Sequence, residues 1–388
     1  MSTRPIIQMS LRPGIVELGY GQPGPNLLPA EALGRAATEA LARWGGAALS
    51  YGADPGPGPL LDWLAAHLGQ VDARAPAPGE LLITAGISHA LDQCCTLLLR
   101  PGDVVLAESP CYHLALHILR DHPIELRAAA TDAQGIDVDA LAEQLAALRG
   151  AGRPARMLYT IPTFNNPTGA SLPPERRAAL VALAERENLL IVEDDVYREL
   201  AYDGDAPPSL WSIAPPGVVL RLGSFAKSLA PGLRLGWLTA DAVLVERIVG
   251  GGLIDSGGGV NHFTSLVVAQ FALSGEYAAQ VARYRATYRA RRDALLGGLD
   301  AHLPPGCGWQ EPAGGYFVWV RLPEGVDARA LLPRAEAAGV AFLPGARFHS
   351  DGRGANALRL SFCLYPEAEL AEGARRLGVA LRELAESG

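Results

Sequence analysis

From residue 81 to residue 239 short β-rich runs alternate with helical stretches, and that order dictates the architecture. The strand candidates are 81–84, 104–108, 157–160, 189–194, 218–222 and 235–239, with helical patterns such as 88–99, 139–149 and 173–187 between several of them. The last opens on Pro173-Pro174 and closes at Asn188, sensible start and stop signals. Strands alternating with helices predict an α/β fold with a mostly parallel, doubly wound sheet. In such sheets ligands sit at the carboxyl ends of the strands. Ahead of this region an irregular, proline-rich start leads into a helix over 30–45. Past residue 280 the texture changes: an arginine-rich helix at 284–299, the run Gly314-Gly-Tyr-Phe-Val-Trp-Val320, a helix, strands near 340–343 and 358–362, and a final helix at 366–385. This reads as a smaller α+β unit over 280–388, packed closely on a large domain over 30–279.

The basic residues carry a second constraint. Of 33, only one is lysine, Lys227. Arginine serves everywhere else, together with abundant alanine, glycine and proline, as in a GC-rich coding background. A lysine kept against that bias points to a position that needs a primary amine, which arginine cannot supply. The net charge of −8 and the lack of a basic block argue against nucleic-acid or anionic-membrane binding. The five cysteines form no CxxC pair and the histidines no HExxH motif, so neither a disulfide framework nor a metal site is expected. The opening residues lack an apolar signal region and no run reaches 18 apolar residues, which predicts a soluble protein of a reducing cytoplasm.

Four motifs follow strands and carry chemistry. Lys227 lies in Leu222-Gly-Ser-Phe-Ala-Lys-Ser-Leu-Ala-Pro-Gly-Leu-Arg-Leu-Gly236. Small residues there let the backbone approach a bulky ligand, and Ser224 and Arg234 are able to grip a phosphate. Pro162-Thr-Phe-Asn-Asn-Pro-Thr-Gly169 is by default a tight turn. Leu190-Ile-Val-Glu-Asp-Asp-Val-Tyr197 ends a strand in three acids, a pattern that marks a cation, either a metal or a protonated nitrogen. By strand alternation Glu193 and Asp195 face away from Asp194 and read as structural. Leu81-Leu-Ile-Thr-Ala-Gly-Ile-Ser-His-Ala-Leu91 is a strand, glycine turn and helix whose first amides, at Ile87 and Ser88, form a phosphate cradle.

Taken with Lys227, these segments resemble the pyridoxal-phosphate aminotransferases of class I/II, the aspartate-aminotransferase-like enzymes of fold type I, over essentially the whole chain. The resemblance implies that Lys227 is the Schiff-base lysine and the proton shuttle. Asp194 would hold the pyridine nitrogen protonated, Tyr197 and Asn166 would hydrogen-bond the ring oxygen, and Tyr112 would stack on the ring. Ile87, Ser88, Ser224 and Arg234 would hold the phosphate, joined by Tyr51 from the neighbouring subunit of a homodimer. Arg359, a cation within the apolar run Ala357-Leu-Arg-Leu-Ser-Phe362, would bind the substrate α-carboxylate, with Gly21, in an N-terminal arm over 1–29, and Asn166 beside it. The implied reaction moves the amino group of an L-α-amino acid to a 2-oxo acid.

The sequence departs from the family at Gly86-Ile87-Ser88, where relatives usually read Gly-Ser-Gln, and at three further places. Ala226 stands where relatives carry serine, Asn165 where many carry glutamine, and 250–259 is unusually glycine-rich. No arginine occurs between Arg247 and Arg283, which argues against strict dicarboxylate specificity. Tyr20, Leu27, Leu28, Ile254 and His262 are candidate neighbours of the substrate side chain. Another outcome of the same cofactor chemistry (oxidase, lyase, decarboxylase or cyclase) stays open at this point. A ligand-sensing regulator would need a DNA-binding module ahead of the pattern, which begins by about residue 15.

Overall fold

The computed structural model describes residues 5–386; residues 1–4 and 387–388, the outermost parts of the expected arm and C-terminal unit, lie outside the described residues. In chain order the strands are β1 (Val16–Glu17), β2 (Leu81–Thr84), β3 (Val104–Ser109), β4 (Glu125–Asp132), β5 (Gly135–Ile136), β6 (Ala155–Thr160), β7 (Leu190–Asp194), β8 (Val219–Ser224), β9 (Gly236–Thr239), β10 (Phe317–Arg321), β11 (Val340–Ala341), β12 (Leu343–Pro344) and β13 (Ala357–Ser361). Eight form one sheet in the order β2-β9-β8-β7-β6-β3-β4-β5. The five from β8 to β4 run parallel, β9 is antiparallel to both neighbours, and β5 folds back on β4. The chain is therefore α/β with a mostly parallel central sheet.

Strand alternation sorts the central residues onto two apolar faces. Val105, Ala107, Met157, Tyr159, Val192 and Leu220 join the core on one side. Val104, Leu106, Leu158, Ile191 and Val219 join a separate core on the other. Both faces are covered, as parallel strands require, and the same period places Asp194 on the Val192 side and Glu193 opposite.

All six strands expected between residues 81 and 239 are present, with ends shifted by a residue or two. β4 was not anticipated: its Ala128-Ala-Ala130 run carries no β-branched signal, and at the sheet's edge it is only half buried. The helix Gly58–Asp72 was likewise missed. The expected helix 284–299 is the middle of a 27-residue helix, Glu276–His302, whose stripe Tyr277, Val281, Tyr284, Tyr288, Leu295 and Leu299 is buried throughout. The segment expected as one strand at 340–343 divides in two. β11 pairs in parallel with β1, tying the start of the chain to its C-terminal part, while β12 pairs with β13 in the three-stranded sheet β10-β13-β12.

Beneath the sheet's carboxyl edge four buried charges neutralise one another. The Arg221 guanidinium donates to Asp72 Oδ2 at 2.6 Å and to Asp195 Oδ2 at 2.7 Å, and Arg198 Nε donates to Asp195 Oδ2 at 2.5 Å. Burial pushes the Asp72 carboxyl up, but Arg221 and Arg198 outweigh it and hold it below its ordinary value. Removing one partner strands a buried charge. Asp72→Asn is expected to lower unfolding stability by ~3–5 kcal/mol in a denaturant titration at neutral pH. The wild-type advantage is complete above the unfolded carboxylate value of about 4 and shrinks as pH falls through the lower folded value. An advantage that does not change between neutral pH and acid would refute this assignment.

Candidate active site

The four strand-following motifs of the sequence lie at the carboxyl edge of the large sheet, after β2, β6, β7 and β8. β2 leads through Gly86 into the helix Ile87–Leu98. Gly86 has φ +91°, and no side chain caps that helix. Its first amides open beside the Arg234 guanidinium: a Cβ built on Gly86 would sit 3.1 Å from Arg234 Nη2. Gly236 closes the same corner, where a Cβ would meet Gly223 O at 2.7 Å and Gly86 Cα at 2.9 Å. Ser224 ends β8 and accepts from the Ala226 amide at 3.0 Å, starting the short helix that carries Lys227. Ile87, Ser88, Ser224 and Arg234 thus surround one small, amide-rich corner, and Ser88 and Arg234 are exposed to solvent.

The three acids at the end of β7 have three different environments. Glu193 accepts from the Leu210 and Trp211 amides at 2.9 and 3.0 Å on the far face, and Asp195 belongs to the buried ion cluster. Asp194 alone points to the site side. It is buried, accepts from the Tyr159 hydroxyl at 2.5 Å and from the Val196 amide at 3.3 Å, and has no cation in contact among the described residues. Burial pushes its carboxyl up to about 7, against those hydrogen bonds. Tyr197 follows in the turn, fully buried, edge-on to Tyr316 at 5.5 Å and to Phe317 at 5.9 Å.

Lys227 projects from the first turn after β8. Its Nζ donates to Gly21 O at 2.6 Å and lies 5.5 Å from the Tyr316 ring centroid. The residue keeps some solvent exposure, but its ammonium end is desolvated, which lowers it from the ordinary lysine value to about 8. Gly21 is required to be glycine: a Cβ there would lie 2.7 Å from the Phe317 ring. The N-terminal segment is thereby laid directly over the lysine.

Arg359 stands in the middle of β13, paired in register with Trp319 and Leu343. Its Nη1 donates to Asn166 Oδ1 at 2.8 Å and its Nη2 to Gly19 O at 2.7 Å, while Nε has no partner. The guanidinium carbon lies 3.9 Å from the Phe317 ring centroid and 4.9 Å from that of Phe348. No carboxylate pairs with it among the described residues, and burial lowers it to about 10. Asn166 precedes a cis proline, Pro167, and is buried. Tyr112, after β3 and the cis bond Ser109-Pro110, is half buried. Burial raises its phenol, and Arg359, Asp194 and Arg234 all act on it, so it faces the same space.

Tyr51 is the one candidate the chain does not bring in. It is 89% exposed and shares no contact with the residues above. Of the guessed side-chain neighbours, Ile254 is buried in the core. His262 contacts Ala47 O at 3.0 Å, and Leu27 is buried with its carbonyl accepting from Gln280. Sequence reasoning overlooked Tyr159, Tyr316, Phe317 and Phe348, aromatic residues that read as ordinary core. It also treated Asn165 as loop, whereas Asn165 is a buried brace that donates to Glu108 Oε1 at 2.8 Å and accepts from the Thr168 amide at 3.0 Å. The acid of Glu108-Ser-Pro-Cys-Tyr112 was the available signal, since a carboxylate ending an apolar strand needs donors inside the fold.

Comparison with known proteins agrees with this geometry. Residues 13–377 match the family described as aminotransferase class I and II. The chain is 32% identical to aromatic-amino-acid aminotransferase 1 of Thermococcus litoralis, covering 98% of this chain and 91% of that protein. It superposes on the multiple substrate aminotransferase of Thermococcus profundus with a TM-score of 0.91 and 33% identity, covering 97% and 93% of the two chains. On the α-aminoadipate aminotransferase LysN of Thermus thermophilus, solved with N-(5'-phosphopyridoxyl)-L-leucine, the TM-score is 0.86 at 34% identity, covering 97% and 94%. The chain belongs to the class I and II aminotransferases, enzymes of nitrogen-group transfer that work with pyridoxal phosphate.

Proposed function

We propose that the site built around Lys227, Asp194 and Arg359 transfers the amino group of an L-α-amino acid to a 2-oxo acid. The observation that carries this reading is the buried guanidinium of Arg359. It is held by two neutral oxygens and two aromatic faces, with no carboxylate in contact. A cation desolvated in this way gains most from a planar, bidentate anion, and a substrate α-carboxylate is one.

The residues fit pyridoxal phosphate. The buried, cation-free carboxylate of Asp194 suits a protonated ring nitrogen, Asn166 and Tyr197 suit the ring oxygen, and Tyr112 the ring face. The uncapped amides of Ile87 and Ser88, with Ser224 and Arg234, suit the phosphate. When bound, the cofactor supplies an electron sink that acidifies the substrate Cα hydrogen. Lys227, its amine held near neutrality, takes and returns the proton at that Cα. Arg359, steadied by Asn166 and Gly19, fixes the α-carboxylate and with it the direction of the Cα–H bond. Gly21 keeps the N-terminal segment close over the amine and limits the entry of water.

Tyr51 fits a second copy of the chain. Its exposure beside Leu49, also exposed, supports a homodimer in which Tyr51 reaches the phosphate corner of the neighbouring copy. We divide the chain into an arm over 1–29, a cofactor-binding domain over 30–279 and a small domain over 280–388. The grouping of the strands into one large and one small sheet supports that division. Five free cysteines, four of them buried, support residence in a reducing cytoplasm.

Lys227→Ala is expected to lower the transfer rate by about 10²–10⁴-fold, measured with a panel of L-amino acids and a 2-oxo acid. Arg359→Lys is expected to raise KM for the amino acid by about 10- to 100-fold. An unchanged KM in that variant would overturn the carboxylate assignment. In the cofactor-free protein the burial of Asp194 destabilises the fold above about pH 7, and this cost is relieved as pH falls toward 4. Cofactor-free Asp194→Asn should therefore exceed wild type in stability at pH 8 by up to ~4 kcal/mol, with the difference fading toward pH 5. The same variant should lose activity. Sedimentation of the native enzyme should give a dimer, and Tyr51→Phe should weaken cofactor binding without dissociating it.

A further inference from the structure

Two consecutive residues of the turn Gly345–Phe348 and its exit are fastened to the segment that presents Tyr112. Phe348 O accepts from the Cys111 amide at 2.8 Å, and His349 Nδ1 lies 2.9 Å from Ser109 Oγ. Ser109 ends β3 of the large sheet, whereas the turn follows β12 of the small one, and 240 residues of sequence separate the two side chains. The bond is not a surface accident. Ser109 is buried and His349 nearly so. A Cβ on Gly354 would press within 2.3 Å of the His349 ring, so the ring is boxed in against Trp319 on one side and Gly354 on the other. Between the two fastenings the Phe348 ring is fully buried, 4.9 Å from the Arg359 guanidinium, 5.1 Å from the His113 ring and 5.7 Å from the Trp319 ring.

We propose that Ser109 and His349 are positioning residues that hold Phe348 against Arg359 and so set the affinity of the site for the substrate carboxylate. The inference rests on the carboxylate role of Arg359. The guanidinium is gripped on one side by Phe317, which is fixed in β10, and on the other by Phe348, which sits in a turn and is fixed only by its neighbours. With the Ser109 bond broken, His349 keeps Asp351, 3.7 Å from Nδ1, but loses its tie to β3, and Phe348 is left with the Cys111 amide and the His113 ring to hold it there. The Arg359 fork, still held by Asn166 and Gly19 but with its second aromatic wall loosened, matches a bidentate anion less closely. Carboxylate binding is made in the ground state and the transition state alike, so its loss appears in KM and not in kcat. Because the same bond joins the Tyr112 segment to β13 through one turn, it also couples the ring-facing and carboxylate-facing halves of the site.

The test uses the holoenzyme. Ser109→Ala and His349→Leu each should raise KM for the amino donor about three- to tenfold, the worth of one buried hydrogen bond, with kcat within twofold of wild type. The double variant should be no worse than either single one, because both remove the same bond. His349→Asn places a carboxamide where Nδ1 stands and is able to donate or accept, so it should restore KM to within twofold. A residue needed only for folding would lower active-site content, read from cofactor absorbance, and leave KM unchanged in the folded fraction. Additive effects of the two substitutions, a fall in kcat with KM unmoved, or failure of Asn to restore KM would overturn the proposal. Arg359→Lys serves as the control. If it raises KM and the paired variants do not, the positioning role fails alone. If Arg359→Lys leaves KM unchanged, the carboxylate reading itself has failed.

Discussion

A guanidinium, an ammonium and a carboxylate lie within one site of this chain, and none is neutralised by a contact ion pair with another. Arg359 is held by a carboxamide, a backbone carbonyl and two aromatic faces; Lys227 by a backbone carbonyl; Asp194 by a hydroxyl and an amide. Each arrangement supplies hydrogen bonds, though Arg359 Nε is left without one, and leaves the charge unbalanced, which is costly in a desolvated place. Under the proposed function the imbalance has a matching set of partners: a carboxylate for the arginine, a protonated ring nitrogen for the aspartate, a carbonyl carbon for the amine. Pairing Lys227 with Asp194 inside the protein would stabilise the fold, and it would also raise the lysine and remove the neutral amine that proton transfer needs. The site is a case in which the fold tolerates local cost in exchange for reactivity.

That tolerance depends on what surrounds it. One residue beyond Asp194, Asp195 is ion-paired through Oδ2 with Arg198 and Arg221, and one residue before it Glu193 accepts from two amides. Strand alternation keeps these environments apart over three successive residues, so neighbouring carboxylates of one type have separate roles. The beginning of the chain is equally committed. β1 pairs with β11, Ser361 donates its amide to Leu18 O at 2.7 Å, and Gly19 and Gly21 offer their carbonyls to Arg359 and Lys227. A segment with almost no secondary structure of its own is placed by the C-terminal unit and roofs a site built on the large sheet.

The alternating pattern made the architecture legible because central parallel strands are short, apolar and bounded by turns, a signal that survives without tertiary context. β4 escaped because only Thr131 and Asp132 pair outward, to β5, and alanines suffice where the rest of that side is open. At the site, residues whose chemistry is rare in their setting were readable from composition and position: one lysine among arginines, three acids closing an apolar strand, an arginine inside another. The aromatic walls were not. Phe317 and Phe348 are common core residues, and only three-dimensional proximity to Arg359 gives them a second function. Tyr159 is similar, since a tyrosine in a buried strand reveals nothing of which carboxylate its hydroxyl will meet. Ser109 and His349 lie 240 residues apart and carry no local mark at all.

The arginine bias of the chain ties these threads together. Arginine bears much of the internal scaffolding: Arg177, buried under the loop that carries Asn166, donates to Pro162 O at 2.6 Å, Leu172 O at 2.7 Å and Pro208 O at 3.0 Å, and Arg221 bridges Asp72 to Asp195. Burial lowers Arg177 and Arg359 alike to about 10, so both stay charged at neutral pH. The same burial brings Lys227 to about 8, within reach of deprotonation. A guanidinium put at position 227 under the same desolvation would hold its proton and its charge. Scaffold cations need permanence and planar forks, which arginine gives in any coding background. In the proposed reaction the amine of Lys227 gains and loses a proton at working pH, and that requirement would account for one lysine persisting in a chain that otherwise has none.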